Sequence, residues 1–324
     1  MDKKLNWKDI LRRVLLTAAL PLGIYLVLGC VRPDIYMQGS TFAMLLTQSL
    51  ANSIVGWAML FGMSVGLFDF SVGSRVILAG LVGVQCSQYF GVIGFVFGAL
   101  ASSLVMAALT GVAYAGLKIP SIITGFAALL IFESVATIYQ KTFDVIVTPE
   151  IKAFGTSPGI YIVTILCFVL VYILFNNTKF GYQIKAIGGN EAIARSMGIK
   201  SVGLKLNTYV IGGVFLAVAA MVKAGYSGSV MAATNMASMQ QCFTPMMGVM
   251  IGLYLSSCNP VIGTFIGSFS ISIVSSGLVA LNIESRLQNV VVGVFLLLFI
   301  GLKSNSGRLK ALWERRPRRR KATA

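Results

Sequence analysis

The stretch KFGYQIKAIGGNEAIARSMGIKSVGLK, residues 179–205, is a polar island in an otherwise hydrophobic chain. It holds five of the 26 Lys and Arg residues and one acid, Glu191. Apolar runs long enough to cross a bilayer lie on both sides of it. A basic segment between two such runs reads as a loop on the cytoplasmic face. Gly188 and Gly189 offer a turn, and Asn190 an N-cap for a short helix. Glu191 falls in its first turn, where the helix dipole favours negative charge. Ala192, Ile193, Ala194, Met197 and Ile199 supply small and apolar positions, and Gly198 a left-handed end. Such a helix either fits a groove in a soluble partner or rests on the membrane surface.

The rest of the chain agrees with a membrane setting. Of 324 residues, 56% are hydrophobic and 11% charged, and the mean hydropathy is +0.84. Soluble domains carry about 25% charged residues. The sequence predicts an all-α, polytopic membrane protein with about ten transmembrane helices. They fall near 14–31, 42–66, 72–89, 92–117, 121–140, 159–176, 206–225, 243–258, 260–281 and 288–302, the eighth being short. Residues 1–324 form one transmembrane domain, with a cytoplasmic loop at 177–205 and a basic cytoplasmic tail at 303–324. The first run reads as a retained span, because its charged flank is long and no small-residue cleavage site follows.

Charge sets the expected orientation. With both termini cytoplasmic, 21 Lys and Arg residues fall inside, Arg75 and Lys118 among them. Only Arg32, Lys141, Lys152 and Arg286 fall outside, and Lys223 sits near the outer end of the seventh span. This asymmetry is the main topological signal. The basic residues cluster at the ends of apolar segments, so the net charge of +16 does not point to nucleic acid. The tail RRPRRRKATA suits anionic lipid. The outer loop from Lys141 to Gly159 has room for a short surface helix or a docking ledge.

Catalytic and metal chemistry find no support. There is no histidine. Cys30, Cys86, Cys167, Cys242 and Cys258 lack metal-ligand spacing. No Walker A pattern is present and no nucleophile–base pair, so neither an enzyme nor a resident cofactor or metal is expected.

Several polar groups stand out within the spans. Asp69, in FDFSVGS, is an acid at the edge of a span. It can cap the next helix through the Ser71 or Val72 amide, touch a solute, or act at an inner gate. Phe70 and Ser71 join it as candidates for a path or gate. Glu133 can face a polar path, pair with Lys141, or sit at the interface. Gln48, Asn52 and Ser53, with Asn235, Gln240 and Gln241, either bond between helices or line a sugar-sized path. Gly62/Gly66, Gly94/Gly98, Gly248/Gly252 and Gly263/Gly267 are G-x-x-x-G pairs, which let helices approach closely.

The run GYQIKAIGGNEAIARSMGI, residues 181–199, resembles the hallmark loop of ribose/galactose/autoinducer-2 permeases of ABC importers. Gly181, Ala186, Gly188, Asn190, Ala194, Arg195, Gly198 and Ile199 match, and Ile193 departs from the usual alanine. FDFSVGS (68–74) and LKIPSIITG (117–125) resemble two further motifs of the family, and the likeness spans roughly residues 42–300. The resemblance implies that this loop is a coupling helix docked on a cytoplasmic ABC ATPase, with Gly189, Asn190, Glu191, Ala194, Arg195 and Gly198 as coupling residues. It implies an extracytoplasmic solute-binding protein, a second permease copy or a sister permease, and a bacterial inner-membrane location. The solute would be a monosaccharide or similar small polar molecule; a branched-chain amino acid or a nucleoside, carried by other relatives, is the alternative. In MIGLYLSSCNPVIGTFIG, residues 250–267, Ser-Ser-Cys-Asn-Pro replaces the paired glycines usual there. The alternatives are an ion-coupled secondary transporter, for which only Asp69 and Glu133 offer acids, and a structural subunit.

Overall fold

The computed structural model describes residues 21–36, 38–143, 145–254 and 258–284, with isolated residues 19, 287, 290, 291, 293, 294 and 297. The start of the first predicted span, most of the tenth and the basic tail at 303–324 lie outside the described residues. Within them every regular element is a helix. Six are long and apolar enough to cross a membrane. After α1 (Pro21–Val31) and the short α2 (Pro33–Tyr36) come α3 (Gly39–Ser64) and α4 (Val72–Leu117). Next are α5 (Ser121–Thr142), the one-turn α6 (Pro149–Lys152) and α7 (Gly159–Asn176). The island holds α8 (Lys179–Gly189) and α9 (Glu191–Ser196). The chain continues through α10 (Ser201–Ser227), α11 (Gln240–Tyr254) and α12 (Pro260–Ala280).

At 46 residues, a straight α4 would run about 69 Å, far beyond the roughly 30 Å of hydrocarbon. It is broken at Phe90 and at Gly91, whose φ of 58° and ψ of −145° suit only glycine. The break falls between the predicted spans 72–89 and 92–117. The two limbs then lie against each other: a Cβ at Gly98 would stand 2.9 Å from Cys86 Cβ. The second limb continues onto α10, where Ser103 Oγ donates to the Gly213 carbonyl at 2.7 Å.

Helix α3 is the hub, packed against α7, α10, α11 and α12. Trp57 Nε1 donates to the Val261 carbonyl at 2.9 Å, and Phe61 stacks on Phe215 of α10. Two glycine pairs read from the sequence face each other between α11 and α12. A Cβ at Gly252 would lie 2.5 Å from the Thr264 nitrogen, and one at Gly263 2.8 Å from Gly252 Cα. Gly62/Gly66 is a correction, because Gly66 stands past the end of α3 with φ 78° and forms no helix-packing pair.

The predicted eighth span starts differently from expectation. Helix α11 has only 15 residues, about 22 Å, and an irregular stretch, 228–236, precedes its 3-10 entry turn at Ala237–Met239. One face of α5 holds this stretch. Gln140 Oε1 accepts from the Ala232 amide at 2.6 Å, Thr137 Oγ1 donates to the Ala233 carbonyl at 3.4 Å, and Ser238 Oγ donates to Glu133 Oε2 at 2.6 Å. The stretch therefore descends two turns of α5 into the bundle. Irregular backbone at such depth survives only where protein satisfies it or where it lines a cavity; here both hold.

The glycine contacts between α11 and α12 give a test. Gly263→Ile should lower the stability of the detergent-solubilised protein by about 1–3 kcal/mol through overpacking. Gly203→Ala, where a Cβ meets nothing within 4 Å, should leave it unchanged or raise it slightly. Equal thermal midpoints for the two variants would contradict the packing.

Candidate functional site

The side of the bundle that carries α8 and α9 is the loop side; the opposite end of α10 marks the far side. Thr178 caps α8, its Oγ1 accepting from the Gly181 amide at 3.2 Å. This first helix of the island escaped the sequence reading, although a threonine directly before Lys179 was its signal. Gly188 and Gly189 are the last turn of α8 rather than a free turn. A Cβ on Gly188 would collide with the Ser64 carbonyl, so glycine is what seats α8 on the end of α3. Gly189 meets nothing.

Asn190 caps α9 as expected: its Oδ1 accepts from the Ile193 amide at 3.1 Å. Gly198, at φ 84°, closes the helix, with the Ile199 amide donating to the Ala194 carbonyl at 3.1 Å. Glu191 accepts from Arg195 Nη2 at 2.7 Å and from Lys205 Nζ at 3.1 Å, which ties α9 to the start of α10. Arg195 Nε also donates to Ser201 Oγ at 2.6 Å. Partial burial raises the Glu191 carboxyl, but hydrogen bonds from Lys205 and Arg195 outweigh it and hold the pKa below its ordinary value. The sign is that of a depressed acid: the stabilisation is present above the unfolded-state pKa and is lost as pH falls through the folded one. Ala194 is buried, whereas Ile193 and Met197 are 59% and 75% exposed. The outward face of α9 is thus Ile193, Met197 and Arg195, not Ala194.

The altered turn also has a role. Leu255, Ser256 and Ser257 lie outside the described residues. Asn259 caps α12, accepting from the Val261 amide at 3.0 Å, and Pro260 takes its first position. Asn259 Nδ2 and Lys185 Nζ both donate to Asn176 Oδ1 at 2.9 Å, so α12, α7 and α8 meet at one side chain. Burial lowers the pKa of Lys185.

Asp69 combines two roles. Its Oδ1 accepts from the Ser71 amide at 2.9 Å and from Ser71 Oγ at 2.6 Å; this is the expected Ser71 contact, but Ser71 is itself the N-cap of α4 and no side chain caps that helix. Its Oδ2 also binds Arg75 Nη1 at 3.0 Å, with the Arg75 side chain 2% exposed. Arg75 is therefore an interior residue and leaves the set of surface charges. The second and third sequence motifs meet here. Ser121 Oγ accepts from the Phe68 amide at 3.1 Å, and Phe70 stacks on Phe126 at 4.8 Å. Cys242 Sγ accepts from the Gly73 amide at 3.0 Å and donates to the Phe70 carbonyl at 3.3 Å. Ser71 is fully buried. Glu133 is 5% exposed and its oxygen is held by Ser238, so it neither sits at an interface nor pairs with Lys141.

Two cavities follow the cleft between α3, the first limb of α4 and α10. The loop-side one, about 30 Å³, is lined by Met59, Gly62, Asp69, Arg75, Tyr209 and Leu216 among others, and Arg75 Nε and Nη2 and the Tyr209 hydroxyl have no protein partner. Its size suits water, not a sugar. The far-side one, about 270 Å³, is lined by Gln48, Asn52, Lys223, Ser227, Ser229 and Gln241 beside apolar groups. Of the path candidates, Asp69 thus lines the loop-side cavity, and Gln48, Asn52 and Gln241 line the far-side one. Phe70, Ser71 and Glu133 line neither. The sequence reading missed Arg75 and Lys223 as interior groups. Their signal was a lone cation within an apolar run.

Sequence comparisons place the chain among transport proteins. The family described as branched-chain amino acid transport system, permease component, matches residues 41–300. The galactose/methyl galactoside import permease protein of Escherichia coli (strain K12) is 27% identical over 87% of this chain and 93% of its own length. The ribose import permease protein of the same organism is 24% identical, over 86% and 90%. The autoinducer 2 import system permease protein of Yersinia pseudotuberculosis (serotype O:3) is 25% identical, over 93% and 86%. No solved structure matches.

Removing one member of the buried pair leaves a charge without its partner. Asp69→Ala should cost about 3–5 kcal/mol of stability, read as a lower thermal midpoint in detergent. The double variant Asp69→Leu/Arg75→Met should recover most of that loss. A double variant no more stable than the single one would show that the pair is not the source of the cost.

Proposed function

The chain belongs to this family of ABC importer permeases, a transport subunit and not an enzyme, and on that premise we propose how it works. It crosses the bacterial inner membrane with about ten helices and both termini cytoplasmic. A cytoplasmic ABC ATPase docks on the outward face of α9, with Ile193 and Met197 entering its groove and Arg195 beside them. A second permease copy or a sister permease completes the path. An extracytoplasmic binding protein delivers a monosaccharide or similar small polar solute to the far side. The basic tail lies against anionic lipid.

One observation carries this reading: the island is braced to two of the helices that line the cavities. Gly188 sits on the end of α3, and Glu191 holds Lys205 of α10. Closure of the ATPases on ATP displaces α9, and α8 and Lys205 pass that displacement to α3 and α10. Their relative shift opens one cavity and shuts the other, so nucleotide biases two states of one cleft. The tight loop-side cavity and the wider far-side one correspond to a path shut toward the cytoplasm. An ion-coupled transporter is not favoured, since the relatives are import permease subunits and Asp69 is committed to Arg75 and Ser71.

Co-purification with the ATPase tests the docking. Ile193→Glu with Met197→Glu should abolish it while leaving the permease folded and in the membrane. Arg195→Glu should weaken it further than Arg195→Gln, because it also places two acids one turn apart. Retention of the ATPase by the Ile193/Met197 double variant would remove α9 as the docking element.

A further inference from the structure

The far-side cavity has an electrostatic asymmetry. Among the described residues Lys223 is its one charged lining group, and no described Asp or Glu lines it. Among the described residues Lys223 forms no ion pair. The remaining polar lining, Gln48, Asn52, Tyr226, Ser227, Ser229 and Gln241, carries amides and hydroxyls. Arg75, the other cation of the cleft, shows the contrast, since Asp69 neutralises it.

An uncompensated cation is costly to dry. A neutral solute entering this cavity would strip water from the ammonium and return only neutral hydrogen bonds. A carboxylate would return a charge-assisted one, roughly twice as strong. A dianion would bring more charge than one lysine balances. The volume, about 270 Å³, lies near the lower end of small-molecule pockets, roughly 300 Å³, and the neutral amides and hydroxyls suit sugar hydroxyls.

Resting on the reading of this cleft as the solute path, we propose that the far-side cavity takes a monosaccharide-sized solute bearing one carboxylate, with Lys223 as its counter-cation. Lys223 is then the residue that separates acidic from neutral sugars within the permease, whatever the binding protein has already selected.

Membrane vesicles carrying the full chain test this. Asn52→Cys, with Cys30, Cys86 and Cys258 changed to alanine, places a thiol in the cavity, and Gln48→Cys is a second reporter should the first fail to fold. Each is labelled from the far side with an anionic and a cationic thiosulfonate of matched size. The anion-to-cation rate ratio should fall at least about tenfold in Lys223→Gln and return in Lys223→Arg. Galacturonate should protect the thiol more strongly than galactose, and Lys223→Gln should erase that difference. An unchanged rate ratio, equal protection by the two sugars, or protection by neither overturns the proposal while leaving the path reading intact. Failure of both reporter thiols to label from the far side overturns the path reading and the proposal with it.

Discussion

A polar backbone group inside a bilayer must find a protein partner, and this structure is arranged around the place where the chain breaks helix and has to meet that demand. Residues 228–236 enter the bundle as irregular backbone, with Asn235 and Met236 at positive φ. Left-handed non-glycine residues persist only where the surroundings hold them. Helix α5 does so through Glu133, Thr137 and Gln140, which share one face at helical spacing. Because this stretch is held, Ser229, Val230 and Met231 line the far-side cavity and Cys242 meets the Phe70–Gly73 turn.

That turn is the second fixed point. The end of α3 and the starts of α4, α5 and α11 converge on it, and the Asp69–Arg75 pair lies inside it. A buried ion pair is weak evidence for stability but a good register device. Here it sets where the cleft narrows on the loop side. The island then joins this end of α3 to the proposed docking face of α9, so α9 and the cavities belong to one mechanical unit. Local geometry that costs free energy sits where the proposed path lies, as expected of functional sites.

Much of this was legible in the sequence because its signals are local. Asn190, Gly198 and the Asp69–Ser71 contact each act within three or four residues, and the structure has them as read. The break near residue 90 was legible from hydropathy alone. What escaped reading depends on contacts distant in sequence. Gly188 matters through Ser64, Glu133 through Ser238, and Arg75 through its place within the bundle, where the sequence count of surface charges had put it in a loop. Ala194 reads as an outward contact position because a small residue on the outer face of a short helix and a small residue beneath it look alike in sequence; the structure buries it. The span count was ambiguous because α11 is shortened by an irregular stretch that hydropathy does not distinguish from helix.

The central claim is that α3 and α10 move against each other when the ATPases on the α8–α9 loop bind ATP. The most direct measurement is the distance between spin labels at Gln48 and Ser227, on opposite walls of the far-side cavity, in the assembled importer. The account predicts a distance that differs by several ångström between the nucleotide-free and ATP-trapped states. It also predicts that Ile193→Glu with Met197→Glu abolishes that difference. An identical distance in both states of a docked, ATP-hydrolysing complex would contradict it.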